Sequence, residues 1–367
     1  MAVVAEAAVA RVAGPDPDAS LNPALLWQIV LTLELPGERG REAFEALSRT
    51  RADSPEALMA AARRLPSLSN LERKRLEYCD IGPVEASVAG GAYVVSSERY
   101  TATMLESGRI PAALFAKGDW SLAERPTVGI VGTRGATAYG RATAMKFAEA
   151  LALAGVTVVS GGAMGIDSSA HEGALGAGGG TISVLTAGVD RPMPAANRAL
   201  FDRIAAKGCL VSQFPLGSGT NDYRPLLRNQ VIAAMSLGLL AIEVPEQSGA
   251  LSTVHAANEL GRQVFVTPGN LTNPTFKGSH ALIRDGATLV DHPDQVLEAL
   301  GLTGLGLARA EAGGHGPVFE ALGSEPMSVE GLVRVTGLDA AEVSLQLTTL
   351  ELDGLIAREG GLCARKS

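Results

Sequence analysis

The spacing of apolar residues changes twice along the chain. Between Asn22 and about Leu76 they recur at helical intervals, as in Leu25, Leu26, Ile29, Val30 and Leu33, then Phe44 and Leu47, then Leu58 and Leu65. Turn signals at Leu35-Pro36-Gly37, Asp53-Ser54-Pro55 and Leu65-Pro66-Ser67 cut this into short helices, which predicts a small helical domain over residues 20–90. From residue 91 the period shortens. Ala92–Val95 and Ala113–Gly118 are strand-like, and Thr127–Gly132 is an apolar run of the length of a buried strand. A Gly-rich turn and a helix over Tyr139–Ala154 follow, then a strand at Val156–Ser160 and a helix running through His171 to Leu175. The alternation continues with a strand at Thr181–Leu185, a helix at Asn197–Ala206, and strands at Leu210–Ser212, Gly238–Glu243 and Gln263–Val266. Strands alternating with helices predict a parallel sheet with right-handed crossovers, a Rossmann-like α/β core over residues 91–300. Ligands of such sheets bind beyond the carboxyl ends of the strands, where the winding reverses.

The pattern changes again after Leu300. Glycines dominate residues 301–315, which read as a linker. Residues 316–367 then give helices at Pro317–Leu322, Ser328–Val335 and Asp339–Asp353, followed by two short strands around Glu359-Gly360-Gly361. Three helices and a hairpin form a winged-helix outline. At the other end, the Ala-rich residues 1–19 with Pro15-Asp16-Pro17-Asp18 read as a disordered tail.

Composition narrows the class. A chain that is 46% hydrophobic with 43 glycines suits a packed, turn-rich α/β protein. The net charge of −8 excludes a general nucleic-acid binder with a basic face, so any such site must be local. Residues 127–300 carry 12 Lys and Arg against 13 Asp and Glu, whereas residues 316–367 carry 4 against 8. Cys79, Cys209 and Cys363 are too scattered for a disulfide framework or a metal knuckle. No apolar run reaches the roughly 18 to 20 residues of a membrane span, and Met1–Asp18 lacks the pattern of an export signal, so a cytoplasmic protein is expected.

Four clusters carry candidate chemistry. Gly132-Thr133-Arg134, after the first core strand, opens a helix; small residues let amides approach an anion, the helix N-terminus adds partial positive charge, and Arg134 offers a bidentate fork. This is neither G-x-G-x-x-G nor a P-loop, and Ser160-Gly161-Gly162 stands where a ribose-binding acid would be expected, so dinucleotides are disfavoured. The second cluster, Ser160, Gly161, Gly162 and Gly165, ends the next strand and can line the same crevice. Asp167 and His171, four residues apart, can hydrogen-bond each other as a structural cap and lock. The third is Arg228-Asn229 preceded by Tyr223 and Arg224, charge plus an aromatic face as an unpaired strand needs. Ser248, Gly249 and Thr253 could form a further anion nest, with Lys277 adding charge. No cofactor or metal is expected.

In this order, V-G-T-R, Y-G, S-G-G-A-M-G-I-D-S-S-A-H, R-N, S-G-A-L-S-T, G-R-Q-V-F-V-T-P-G, K-G and L-I-R-D-G-A resemble the DprA/Smf family of DNA-processing proteins, densely over residues 125–290. The resemblance implies a SAM-like N-terminal domain and a winged-helix C-terminal one. It implies a non-enzymatic homodimer that protects single-stranded DNA and loads RecA recombinase in natural transformation and recombinational repair. The chain departs from the family pattern at Gln213 and Gln230, where charges are usual, and at Met193-Pro194-Ala195, which lacks a basic residue. Two other classes compete. A phosphoribohydrolase-like nucleotide enzyme would need a P-G-G-x-G-T loop, which is absent; a winged-helix transcription factor would need a basic recognition helix, whereas Asp339–Asp353 has Glu342 and Glu351 and no Arg or Lys.

Overall fold

A computed structural model of the chain describes residues 42–43, 46–47, 55–66, 68–70, 74, 92–96, 99–111, 113–303, 316–322, 326–352, 355–359 and 362–365. The tail expected over residues 1–19 lies outside them, as do most of the helical domain expected over 20–90 and most of the linker. Within the helical stretch, α1 (Pro55–Arg63) buries Leu58 and Ala62, four residues apart on one face. The chain divides into two compact units, Met1–Gly301 and Leu302–Ser367.

The first unit is built on a nine-stranded sheet. Its strands are β1 (Tyr93–Ser96), β2 (Ala113–Gly118), β3 (Thr127–Gly132), β4 (Thr157–Ser160), β5 (Thr181–Leu185), β6 (Cys209–Ser212), β7 (Gly238–Ile242), β8 (Gln263–Val266) and β9 (Thr288–Leu289). They lie in the order β1-β2-β6-β5-β4-β3-β7-β8-β9. From β6 across to β9 every pairing is parallel, while β2 joins β6 antiparallel and β1 joins β2 antiparallel. The core is thus the expected parallel sheet, and the two lead-in strands extend it at one edge.

Winding runs outward from β3 in both directions, so the sheet reverses between β3 and β7. The short helix α2 (Ala102–Glu106) lies between β1 and β2 in sequence. The helices α3 (Ala138–Leu153), α4 (Ile166–Gly176) and α5 (Arg198–Lys207) follow β3, β4 and β5 and pack side by side. The crossover from β6 to β7 carries α6 (Arg224–Met235), which packs with α7 (Ala250–Glu259) and lies across β3 to β5. Two more helices, α8 (Lys277–Arg284) and α9 (Pro293–Ala299), precede and follow β9. Strand residues alternate between two cores: Cys209 and Val211 join the cluster with Val231, Ile232 and Val254, whereas Leu210 joins the one with Phe201 and Ile204. Helices on both faces cover a sheet whose central strands are buried throughout, which explains their unbroken apolar runs. Among the described residues no helix is long and apolar enough to cross a membrane.

The second unit contains α10 (Gly316–Ala321), α11 (Val329–Thr336) and α12 (Ala340–Leu352) with a small sheet of β10 (Met327–Ser328), β11 (Ile356–Glu359) and β12 (Leu362–Arg365). Its order is β10-β12-β11, the hairpin of a winged helix plus one short strand that the sequence pattern does not mark. Ser328 caps α11 through the Gly331 amide, and Gly337 ends it at φ +71°. Val318, Leu322, Leu332, Val343, Leu347, Ile356 and Cys363 make a core of its own.

One buried polar group in the first unit corrects the sequence reading. His171 does not pair with Asp167; its Nδ1 lies 2.7 Å from Thr181 Oγ1, whose hydroxyl donates to the Val158 carbonyl at 2.9 Å. Thr181 therefore accepts from His171, which fixes the proton on Nδ1. Burial, helped by the charge of Arg228, pushes the His171 pKa down from 6.5 to about 3. The unfolded chain takes up this proton near 6.5 and the folded chain only near 3, so stability falls as pH is lowered through that window. In urea titrations His171→Asn is expected to flatten this dependence by up to about 1.4 kcal/mol per pH unit; equal slopes in both proteins would refute it.

Candidate functional site

The carboxyl ends of β3, β4 and β7 meet the amino end of α6 around a cleft of about 440 Å³ at the point where the winding reverses. Of the residues singled out from sequence, Gly132, Thr133, Arg134, Asp167, Arg228, Asn229, Ser248, Gly249 and Thr253 line it. They come from four segments up to 121 positions apart, between Gly132 and Thr253. Asp222, Gln247 and Ser252 complete the polar part of its wall.

Each loop is held by its neighbour. The Thr133 amide donates to the Glu243 carbonyl at 3.2 Å, and the Ile166 amide, at the start of α4, donates to the Thr133 carbonyl at 3.2 Å. Gly165 makes the second contact possible: a Cβ there would lie 2.4 Å from Thr133 O and 2.6 Å from Arg134 O, and its φ is +85°. The Arg134 side chain is left exposed and makes no ion pair among the described residues. It is a guanidinium available for an anion.

Arg228 behaves differently. It is 6% exposed, and its side chain is tied to protein: Nε donates to Asn229 Oδ1 at 2.9 Å, and one terminal nitrogen donates to the Gly161 carbonyl and to the Val184 carbonyl at 3.2 Å. Gly161 has no side chain because a Cβ would sit 1.5 Å from that nitrogen. Asn229 in turn donates to Ser252 Oγ at 2.7 Å, which fastens α6 to the first turn of α7. Asp167 lies in the same wall and accepts from the Ala163 amide at 3.3 Å. Burial raises its pKa, opposed by the Arg228 guanidinium and by amides of Ala163 and Gly161. Arg228 and Asn229 thus hold the back of the crevice rigid.

Several sequence candidates stand elsewhere. Ser160 is fully buried, its hydroxyl donating to the Ile130 carbonyl at 2.6 Å, so it does not line the crevice as expected. Gly162 faces inward, where a Cβ would meet the Phe201 ring at 2.4 Å. Tyr223 is 62% exposed at the start of α6, between the crevice-lining Asp222 and Pro225. Arg224 folds back over the Phe214 ring, 4.0 Å from its centroid, and donates to the Gly219 carbonyl. Lys277 is exposed at the start of α8 (Lys277–Arg284), outside the crevice lining. The amino end of α3 is also unavailable to a ligand, contrary to the expectation of a free helix N-terminus, because the Glu243 carboxylate sits there.

A two-faced α/β unit with a polar crevice at its winding reversal, followed in sequence by a winged helix, defines the class: a Rossmann-like protein with an appended winged-helix domain. The model of the DNA recombination-mediator protein A family matches residues 92–301, and that of the DprA winged helix domain matches residues 306–361. The chain belongs to this DprA/Smf family. It is similar to a putative DNA processing protein DprA of Mycobacterium tuberculosis, 38% identical over 266 residues that cover 68% of this chain and 67% of that one. It is also similar to protein Smf of Escherichia coli K12, 36% identical over 279 residues covering 72% and 74%. The X-ray structure of DNA processing protein A from Streptococcus pneumoniae aligns with a TM-score of 0.63 at 26% identity, over 75% of this chain and 97% of that one. A Helicobacter pylori DNA processing protein A, described for its single-stranded DNA binding mode, aligns at 0.52 and 27% identity over 56% and 95%.

The clasp at Arg228 has a measurable consequence. Arg228→Met leaves two buried carbonyls and Asn229 without their donor, and is expected to lower unfolding stability by about 3 kcal/mol or more. Chemical denaturation with far-UV circular dichroism tests this; a variant of wild-type stability that merely binds ligand less well would show Arg228 to be a contact residue and not a clasp.

Proposed function

We propose that this protein binds single-stranded DNA through the crevice, acts as a homodimer, and delivers the strand to a RecA recombinase. The observation that carries the reading is the Gly132-Thr133-Arg134 loop, whose arginine is exposed and makes no ion pair among the described residues, beside a crevice open at the carboxyl ends of the strands. Membership in the family and the single-stranded DNA binding described for the Helicobacter pylori relative support it. Recombinase loading and dimerisation rest on family membership alone.

The charge on the crevice wall sharpens the expectation. Arg134 and Arg228 face Asp167 and Asp222, so the lining is formally balanced, and Arg228 is consumed by protein carbonyls. Few phosphates can be neutralised by each subunit, and the salt dependence of binding should be shallow for a DNA-binding protein. Arg134→Ala is expected to weaken binding of a single-stranded oligonucleotide at least tenfold in fluorescence anisotropy. It should also reduce the slope of log affinity against log salt by about 0.7, one single-strand phosphate contact. Unchanged affinity and slope would remove Arg134 from the site.

The winged-helix unit fits a different role. Its longest helix, α12, carries Glu342 and Glu351 and no basic residue, and residues 316–367 hold 4 Lys and Arg against 8 Asp and Glu. Such a helix is repelled by the phosphates that flank a major groove. We assign this unit to protein contact or to assisting dimerisation. Residues 302–367 alone should leave duplex oligonucleotides unshifted in gels at concentrations where the full chain retards single strands; retardation of duplex would contradict the assignment.

A further inference from the structure

Glu243 directly follows β7 in a conformation that acidic residues rarely adopt. Its φ is +49°, the one positive value at a non-glycine among the described residues, and its side chain is fully buried. The carboxylate is aimed at the first turn of α3. It accepts from the Thr137 amide at 3.0 and 3.1 Å and from the Thr137 hydroxyl at 2.9 Å, while the Thr137 oxygen in turn accepts from the Gly140 amide at 3.1 Å. Gly140 makes the space, since a Cβ there would lie 1.8 Å from Glu243 Oε2. The backbone carbonyl of Glu243 meanwhile holds the Thr133 amide. One residue therefore grips both ends of the segment that bears Arg134.

The N-terminus of the helix after the first core strand is where a Rossmann-type sheet seats the phosphate of a bound nucleotide. Here that seat already contains an anion. We propose that Glu243 is a specificity-determining positioning residue: its carboxylate fills the nucleotide-phosphate seat at the N-terminus of α3, excludes mononucleotides from it, and fixes the Thr133–Thr137 segment so that Arg134 faces the crevice. The last part rests on the reading of the crevice as a single-stranded DNA site; occupation of the seat does not.

The test separates the two. In an Arg134→Ala background, which removes the crevice's own anion contact, Glu243→Gly empties the seat, and glycine suits the positive φ. Titration with inorganic phosphate and with AMP by isothermal calorimetry is expected to give binding at least tenfold tighter than for Arg134→Ala alone, together with a phosphate-dependent rise in melting temperature. Glu243→Gln in the same background keeps the seat filled by an isostere and should gain nothing. If circular dichroism shows the glycine variant unfolded, Glu243→Asn, shorter, neutral and tolerant of positive φ, is measured in its place. A folded variant with no gain in phosphate affinity overturns the proposal, and so does an equal gain in Glu243→Gln, which would make charge removal and not a vacated seat the cause. Loss of single-stranded DNA binding in the wild type would strike the reading of the crevice alone.

Discussion

The buried guanidinium of Arg228 is the interaction on which the site depends. Removing such a charge from water costs several kcal/mol after relaxation, and the cost is tolerable only when its donors find acceptors. Arg228 finds them in the ends of two other strands, through the carbonyls of Gly161 after β4 and Val184 in β5, and in its own neighbour Asn229. A helix that crosses from β6 to β7 is thereby pinned over the strands between them. Because Asn229 continues the chain of contacts to Ser252 on α7, α6 and α7 are both set relative to the strand ends. A guanidinium forms this clasp where an ammonium could not, since its fork reaches acceptors in fixed, diverging directions.

Two stitches complete the wall in front of the clasp. Thr133 is bound by its amide to β7 and by its carbonyl to the start of α4, so the loop carrying Arg134 is fastened to both sides of the sheet's winding reversal. The glycines that cluster at these strand ends serve the stitches more than they serve a ligand. Gly161 admits Arg228, Gly162 admits Phe201, and Gly165 admits the Thr133–Arg134 backbone. An anion approaching the crevice meets loops already fixed by these contacts, with the exposed Arg134 side chain among them, and preorganisation of this kind reduces the entropy lost on binding.

The sequence exposes most of the frame because each core strand is a short apolar run bounded by glycine or polar residues, and because burial on both faces leaves no alternation to blur it. The strands at Thr127–Gly132 and Thr181–Leu185 and the helices of the winged unit fall within a residue or two of their expected bounds. What escapes is what depends on a distant partner. β2 pairs with β6 rather than with its neighbour β3, a tertiary choice that no local signal encodes. The helix Arg224–Met235 is hidden because Arg228, Asn229 and Gln230 interrupt its apolar stripe, and the acceptors that make an arginine acceptable there lie 44 and 67 positions away. That run of three polar residues between Leu226-Leu227 and Val231-Ile232 is the available signal, and it points to a buried structural arginine as readily as to a ligand contact. Glu243 is legible only as an acid at a strand end; its link to Gly140 requires the fold.

Electrostatics then constrain how an acidic chain can hold a polyanion. The net charge of −8 opposes approach of DNA at long range, and the crevice, with its cations balanced by Asp167 and Asp222, supplies no broad attractive field. On the proposed reading attraction acts at short range, through Arg134, within about a Debye length, roughly 8 Å at physiological salt. A single contact of that kind is weak. Two such crevices on one assembly, engaged by one strand, would convert the second contact into an intramolecular event, whose effective concentration multiplies the affinity without any additional charge. In this chain, which lacks a basic residue at Ala195, linkage between the subunits of the proposed homodimer would be the physical route by which a formally neutral crevice retains a single strand.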